Sequence, residues 1–346
     1  MPHHTRRTPV LFIGGLGHSG TTLIEQLIGQ LPKAVPLGEV ARLWDHDGRE
    51  GETCACGASF GACEFWQRIG AAAFDGWERL DRDRIRQLRA GVDRTRHIPA
   101  LAGRHLKGAM RDAVAEYSSY YQRLYAAAAA DSRAELVIDS SKHPSLAYCL
   151  RWCEDIDLRV LHVVRDPRGV AHSWGKDVAG HGMGANDHWE RRCSPARAAM
   201  LWNAQNAAFD VLRRRGTVPV MRVHYEELFD TPRDVIADIV QWAQLPFTPN
   251  QLRFIGDTHA DLGPSHCVAG DPMRFAVGNV ALEPEPWEEE LSPSRRRLVS
   301  TMSAPLLRRY GYGRQKTQPA QPKQPLAIEP RRADHDVVEP LSVRDD

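Results

Sequence analysis

No apolar stretch in this 346-residue chain approaches the roughly 20 residues a helix needs to cross a bilayer. Met1 to Pro9 are polar and basic, and the apolar run that follows, Val10 to Ile13, is too short for the core of a secretory signal. The expectation is a soluble, cytoplasmic protein without a membrane partner. An excess of one charge is also missing. Lys and Arg number 45 against 44 Asp and Glu, a formal net charge of +1, so no global basic field recruits nucleic acid. Cysteine is sparse: seven residues are too few for a secreted disulfide scaffold of this length. No internal repeat is found, which removes solenoid architectures. What remains is ordinary globular usage, 42% hydrophobic and 26% charged.

Val10-Leu11-Phe12-Ile13 ends in Gly14-Gly15 and reads as a buried strand. Thr21 to Gln30 carries Leu23, Ile24, Leu27 and Ile28 at helical spacing, and Pro32 ends it. Further strands are predicted at 135–139, 158–164 and 218–223, with helices at 111–130, 195–214 and 232–244 between and after them. Alternating strands and long helices predict a mainly parallel sheet covered on both faces. Residues 256–286 are rich in Gly, Pro, Asp and His and show little periodicity, which suits a functional loop. Residues 287–310 read as helix again. The expected organisation is a flexible N-terminus at 1–9, one domain over 10–312, and a disordered Gln-, Pro- and charge-rich tail at 313–346.

Two segments carry chemistry. The first is Gly15-Leu16-Gly17-His18-Ser19-Gly20-Thr21-Thr22, between the first strand and the first helix. Glycines let backbone N–H groups close on an anion, and the helix N-terminus adds unpaired donors and partial positive charge. The glycine spacing is that of a phosphate loop, but Thr21 stands where a nucleoside triphosphatase carries Lys, which argues against ATP or GTP. The second is Arg165-Asp166-Pro167-Arg168, followed by Ser173. Arg165 falls at a strand end, Pro167 suits a first helical turn, and Ser173 lies two turns on. An Arg and a Ser so spaced can grip one phosphate from two sides at the sheet edge where α/β ligands bind.

Together these segments resemble the superfamily of sulfotransferases that use 3'-phosphoadenosine 5'-phosphosulfate (PAPS), particularly bacterial members related to tyrosylprotein and carbohydrate sulfotransferases. The family's loop G-x-x-x-S-G-T-T binds the 5'-phosphosulfate, and its R-D-P-R-x-x-x-x-S segment binds the 3'-phosphate. The resemblance implies a single α/β domain with a P-loop-type, mainly parallel sheet flanked by helices. It implies that Gly17, His18, Ser19, Gly20, Thr21 and Thr22 hold the 5' end, while Arg165 and Ser173 hold the 3' end. His18 replaces a Lys or Arg found in many relatives. By the same resemblance Tyr225, in the Val223-His224-Tyr225-Glu226-Glu227-Leu228 strand end, contacts the nucleotide, and Arg274 in the late loop adds a 3'-phosphate contact.

The implied reaction moves a sulfuryl group to a hydroxyl of a small-molecule, carbohydrate or natural-product acceptor, and requires no metal. Such a transfer leans on positioning and electrostatics. Lys142, in Asp139-Ser140-Ser141-Lys142-His143-Pro144, is assigned to the leaving phosphate. Glu39, in Gly38-Glu39-Val40-Ala41-Arg42, is the preferred general base and His143 its rival; a salt bridge from Glu39 to Arg42 is the structural alternative. A P-loop nucleotide kinase and a non-catalytic nucleotide-binding module are the competing functions. Cys54-x-Cys56, with Cys63 seven residues on, admits free thiols, a disulfide, or zinc with His46 or His97 as fourth ligand. Cys149, Cys153, Cys193 and Cys267 are expected to be small core residues. His172, His181 and His188 suggest either an acceptor-site lid or a polar surface loop. The aromatic residues between Trp44 and Leu106 suit either an acceptor pocket or a core.

Overall fold

The computed structural model describes residues 7–44, 53–176 and 193–313. Its centre is a five-stranded, wholly parallel sheet in the order β2-β3-β1-β4-β5. The strands are β1 (Thr8–Gly14), β2 (Ala34–Pro36), β3 (Leu136–Lys142), β4 (Ile156–Val164) and β5 (Val220–His224). The major helices are α1 (Thr21–Gly29), α2 (Glu64–Phe74), α3 (Arg82–Val92), α4 (Gly108–Ser132), α5 (Pro144–Leu150), α6 (Pro167–Ser173), α7 (Pro195–Arg215), α8 (Pro232–Trp242) and α9 (Pro293–Arg309).

β1 shows why the sequence folds this way. Val10, Leu11, Phe12 and Ile13 are all fully buried, and successive side chains point to opposite faces. Val10 and Phe12 join a core with Tyr117, Tyr121 and Tyr125 of α4 on one face. Leu11 and Ile13 meet Leu27 of α1 and Ile239 of α8 on the other. Each large apolar side chain so buried contributes roughly 1.5–3 kcal/mol relative to exposure. Five of the helices open on proline, at positions 144, 167, 195, 232 and 293, where its missing N–H is not needed.

β1 pairs with β3 on one side and β4 on the other, over Val10↔Val137 and Val10↔Leu158. The chain goes to opposite sides of β1 in its two halves, so a crevice opens beyond the carboxyl end of β1. The glycine-rich loop, Arg165 and Tyr225 follow the carboxyl ends of β1, β4 and β5, and Lys142 ends β3.

Several expectations are refined. The first strand starts at Thr8, inside the segment expected to be flexible, because Thr8 N–H donates to the Asp155 carbonyl at 2.9 Å. The edge strand β2, three residues long, had no readable alternation. The irregular 256–286 segment contains an antiparallel pair, β6 (His259–Leu262) with β7 (Gly278–Ala281). The last predicted helix divides into a turn at Trp287–Glu290 and α9, separated by Leu291 and Ser292. The aromatic residues of the 44–106 region, Trp44, Trp66, Phe74 and Trp77, lie in the core. Cys149 and Cys267 are buried, whereas Cys153 and Cys193 are only partly so, contrary to the expectation for those two. The 313–346 tail lies outside the described residues except for Gly313. Among the described residues no helix is long and apolar enough to cross a membrane.

Candidate active site

The loop after β1 is shaped by two left-handed residues, His18 (φ 64°) and Gly20 (φ 81°). At Gly20 a side chain is excluded twice, by that φ and because a Cβ would strike the Tyr225 ring. Ser19, Thr21 and Thr22 are buried at the start of α1. Gly15 N–H donates to the Lys142 carbonyl at 3.1 Å, tying this loop to the end of β3.

Arg165 leaves β4 beside that loop. Its Nη1 donates to the His18 carbonyl at 2.7 Å, and its guanidinium lies 4.4 Å over the Tyr225 ring. Tyr225 N–H in turn donates to the Val164 carbonyl at 2.8 Å, and Trp202 Nε1 donates to the Arg165 carbonyl at 2.9 Å. The neighbouring Asp166 pairs with Arg168 at 2.5 Å, leaving Arg165 for other anions. Ser173 Oγ and His18 Nδ1 are 3.1 Å apart, so the two predicted anion-binding segments meet directly. Burial pushes the His18 imidazole below its ordinary pKa, and Lys142 and Arg165 add to this against the pull of Asp271 and Glu285.

Glu285 is the participant that sequence reasoning missed. Its carboxylate accepts from Arg165 Nη2 at 2.7 Å and from Ser173 Oγ at 3.4 Å, and Lys176 Nζ lies 3.8 Å away. Burial would raise its pKa, but Arg165 and Lys176 hold it below the usual carboxylate range. An anion therefore sits where the Arg and Ser were expected to grip a phosphate. No local motif marks Glu285; its Pro-rich surroundings gave no signal.

Beyond the loop, Lys142 Nζ donates to Glu39 Oε1, and Arg42 Nε lies 3.6 Å from Glu39 Oε2. Lys142 is held at φ 67°, a left-handed conformation costly for a residue with a Cβ, and one that recurs at functional sites. Glu39 is 4% exposed. Burial alone would raise its pKa, yet Lys142 and Arg42 outweigh it and bring the carboxyl below its ordinary value. His143 caps α5, and burial depresses its pKa against the raising influence of Asp93 and Glu39.

The Glu39 backbone is anchored on two sides. Glu39 N–H donates to the Val268 carbonyl at 2.9 Å, and Ala41 N–H to Ser141 Oγ at 3.0 Å. Glu25 of α1, also unforeseen, is wholly buried between these elements. It accepts from Gly38 N–H at 2.8 Å and from Ser140 Oγ at 2.5 Å, and burial pushes its pKa up to about 8. Arg274 is buried, donates to the Gly270 carbonyl at 2.5 Å and stacks on Phe275 at 4.3 Å. Its segment runs alongside Glu39, where a Cβ on Gly270 would lie 2.9 Å from Glu39 Oε1.

A model of the sulfotransferase family matches residues 9–249, which spans every group above up to Tyr225 and none from Val268 onward. The chain belongs to the sulfotransferase family. Among solved sulfotransferases, the domain from the Synechococcus PCC 7002 olefin synthase aligns at 18% identity, over 87% of this chain and 97% of its own, with a TM-score of 0.40. The sulfotransferase domain from the curacin biosynthetic pathway aligns at 16%, over 86% and 98%, with a TM-score of 0.41. Sulfotransferase STF9 from Mycobacterium avium aligns at 16%, over 72% and 67%, with a TM-score of 0.37. No curated protein matches the chain.

In this member of the family, His172 is buried with Nε2 3.0 Å from Glu290, while His181 and His188 lie outside the described residues. The cysteine group differs from expectation in one member. Cys54, Cys56 and Cys63 cluster with His266, not with His97; His46 lies outside the described residues. His266 is 203 positions from Cys63, beyond the reach of any spacing argument.

Proposed function

We propose that the protein transfers the sulfuryl group of PAPS to a hydroxyl of a small-molecule, carbohydrate or natural-product acceptor. The observation that carries this reading is the direct junction of the two anion-binding segments, Arg165 to the His18 carbonyl and His18 to Ser173. The Glu285 carboxylate between Arg165 and Ser173 supports it, because that carboxylate stands in for the oxygens of a 3'-phosphate. The loop's buried Ser19, Thr21 and Thr22 are suited to the 5' end.

In the proposed reaction the acceptor oxygen forms a bond to sulfur as the bond from sulfur to the phosphate oxygen breaks. The hydroxyl proton passes to Glu39, and 3'-phosphoadenosine 5'-phosphate leaves. Lys142, tied through its carbonyl to the phosphate loop, offsets the charge growing on the leaving phosphate. Glu39 is preferred to His143 because its carboxylate is ionised and in contact with Lys142.

The test offers purified protein sulfur-35-labelled PAPS with a panel of alcohols, phenols and sugars, and in parallel γ-labelled ATP with magnesium. Label on an acceptor from PAPS alone supports the proposal. Turnover of ATP without any from PAPS replaces it with a kinase, and binding without either leaves a nucleotide-binding module.

A further inference from the structure

Away from the anion-binding crevice, a loop before α2 and a segment far along the chain bring four soft ligand atoms together. The Sγ atoms of Cys54, Cys56 and Cys63 and the Nδ1 of His266 all lie within 4.8 Å of one another. We propose that these four residues bind one zinc ion in a closed, structural site that joins the 54–63 loop to the 266–268 segment beside Glu39.

The argument begins with geometry. Tetrahedral zinc with Zn–S of about 2.3 Å and Zn–N of about 2.0–2.1 Å requires S···S edges near 3.8 Å and S···N edges near 3.5 Å. The Cys63–Cys54 and Cys56–Cys63 sulfur separations are 3.6 and 3.7 Å. His266 Nδ1 is 3.4 Å from Cys63 Sγ and 3.7 Å from Cys54 Sγ. Four edges thus match the tetrahedron. Three thiols also cannot all be consumed by one disulfide, whereas an S₃N set consumes every ligand.

The surroundings fit the same ion. Cys63 stands at the N-cap position of α2, so its place is set by the start of that helix. The His266 ring is stacked on Phe65 at 4.9 Å with a 12° tilt, and its carbonyl accepts from Trp66 Nε1 at 2.8 Å. With Nδ1 turned to the sulfurs, ring orientation is already fixed before a metal arrives. All four positions are filled by protein, so the ion has no vacancy for substrate and serves architecture.

That architecture reaches the catalytic side. Ala55 N–H donates to the Cys267 carbonyl at 3.0 Å, and the next residue, Val268, exchanges backbone hydrogen bonds with Leu37 and Glu39. The ion would therefore anchor the segment that holds Glu39. The proposal stands on the ligand geometry alone and is independent of the sulfuryl-transfer reading.

The experiment measures zinc in full-length protein purified under reducing conditions without chelator, then follows cobalt(II) titration of the metal-stripped chain. About one zinc per chain is expected, displaced by cobalt with the intense visible d–d and thiolate charge-transfer bands of a tetrahedral thiolate site. Cys54→Ser, Cys63→Ser and His266→Ala lose the metal, whereas Cys153→Ser and Cys193→Ser retain it. His266→Cys keeps zinc but shifts the cobalt bands, which guards against reading misfolding as ligand loss. Wild-type protein that takes up neither metal, or a mapped disulfide among the three cysteines under the same conditions, overturns the proposal.

Discussion

Glu285 should compete with the nucleotide it is positioned to mimic, and Glu285→Gln should tighten donor binding. In the free protein its carboxylate holds Arg165 at 2.7 Å and Ser173 at 3.4 Å, so a 3'-phosphate must displace it. Lys176, 3.8 Å from Glu285, offers the displaced carboxylate a partner. Glutamine keeps the shape, and its amide oxygen still accepts from the cationic Arg165, but the bond no longer joins two ions; hydrogen bonds to charged groups span about 1.5–3 kcal/mol, and the loss lies within that spread. The difference of about 1 kcal/mol must be discounted, since the Glu285 side chain is 32% exposed and partly screened by solvent. The variant should bind 3'-phosphoadenosine 5'-phosphate roughly 3–5-fold more tightly. Isothermal titration calorimetry reads this directly, with adenosine 5'-phosphosulfate, which lacks the 3'-phosphate, as comparison. The gain must appear with the 3'-phosphorylated ligand only. Equal gains with both ligands, or weaker binding of the first, would show that Glu285 does not occupy the phosphate position.

Glu39→Gln should lower kcat by roughly 10²–10⁴ with donor affinity nearly unchanged, because a general base acts in the transition state; full turnover measured by sulfur-35 transfer would pass the role to His143. Since Lys142 and Arg42 hold Glu39 below the ordinary carboxylate pKa despite its burial, wild-type kcat should fall only when acid drops below that ordinary range, and an acid limb lying between the ordinary carboxylate and imidazole values would point instead to His143, whose pKa burial depresses. Lys142→Met should reduce kcat by roughly 10²-fold or more as the leaving phosphate loses its counter-charge, with single-turnover kinetics separating that loss from donor binding. Glu25 carries a pKa of about 8 in the fold, above its unfolded value, so its contribution is complete below pH 4.5 and is lost as pH rises through about 8. At 1.36 kcal/mol per unit the ceiling is on the order of 5 kcal/mol. Glu25→Gln should flatten urea-measured stability between pH 6 and pH 8, above the range in which Asp139, whose pKa burial raises to about 6, loses most of its own contribution; an unchanged pH slope would refute the burial argument.

The parts legible in the sequence are those whose chemistry is local. A run of four apolar residues before glycines, then threonines opening a helix, specifies strand, turn and helix within a dozen positions. Arg165 was readable because Pro167 fixes a helix start two residues later, which places the Arg at the strand end. Glu25 was not readable: within α1 it looks like any charged helix residue, and only the arrival of Gly38 and Ser140 from other elements turns it into a buried acceptor. Glu285 and His266 fail for the same reason, their partners lying 120 and 203 positions away respectively. The aromatic residues of the 44–106 region carried no sign of their destination, since a buried Trp and a pocket-lining Trp are chemically alike until neighbours are known.

Glu25 also explains how one helix can serve both halves of the crevice. The amino end of α1 carries Thr21 and Thr22, while one turn further Glu25 fastens Gly38 and Ser140. Gly38 adopts φ 82° and lies against the Val268 backbone, where any Cβ would collide. Ser141 then fixes Ala41, and the next residue in β3 is Lys142. Base candidate, lysine and phosphate loop are therefore not three independent loops meeting by chance over the sheet edge. They share a buried hydrogen-bond lattice whose distortion would move all three together, as preorganised electrostatic catalysis requires. The Lys142–Glu39 contact is thereby framed by backbone hydrogen bonds and not by the flexible side chains alone.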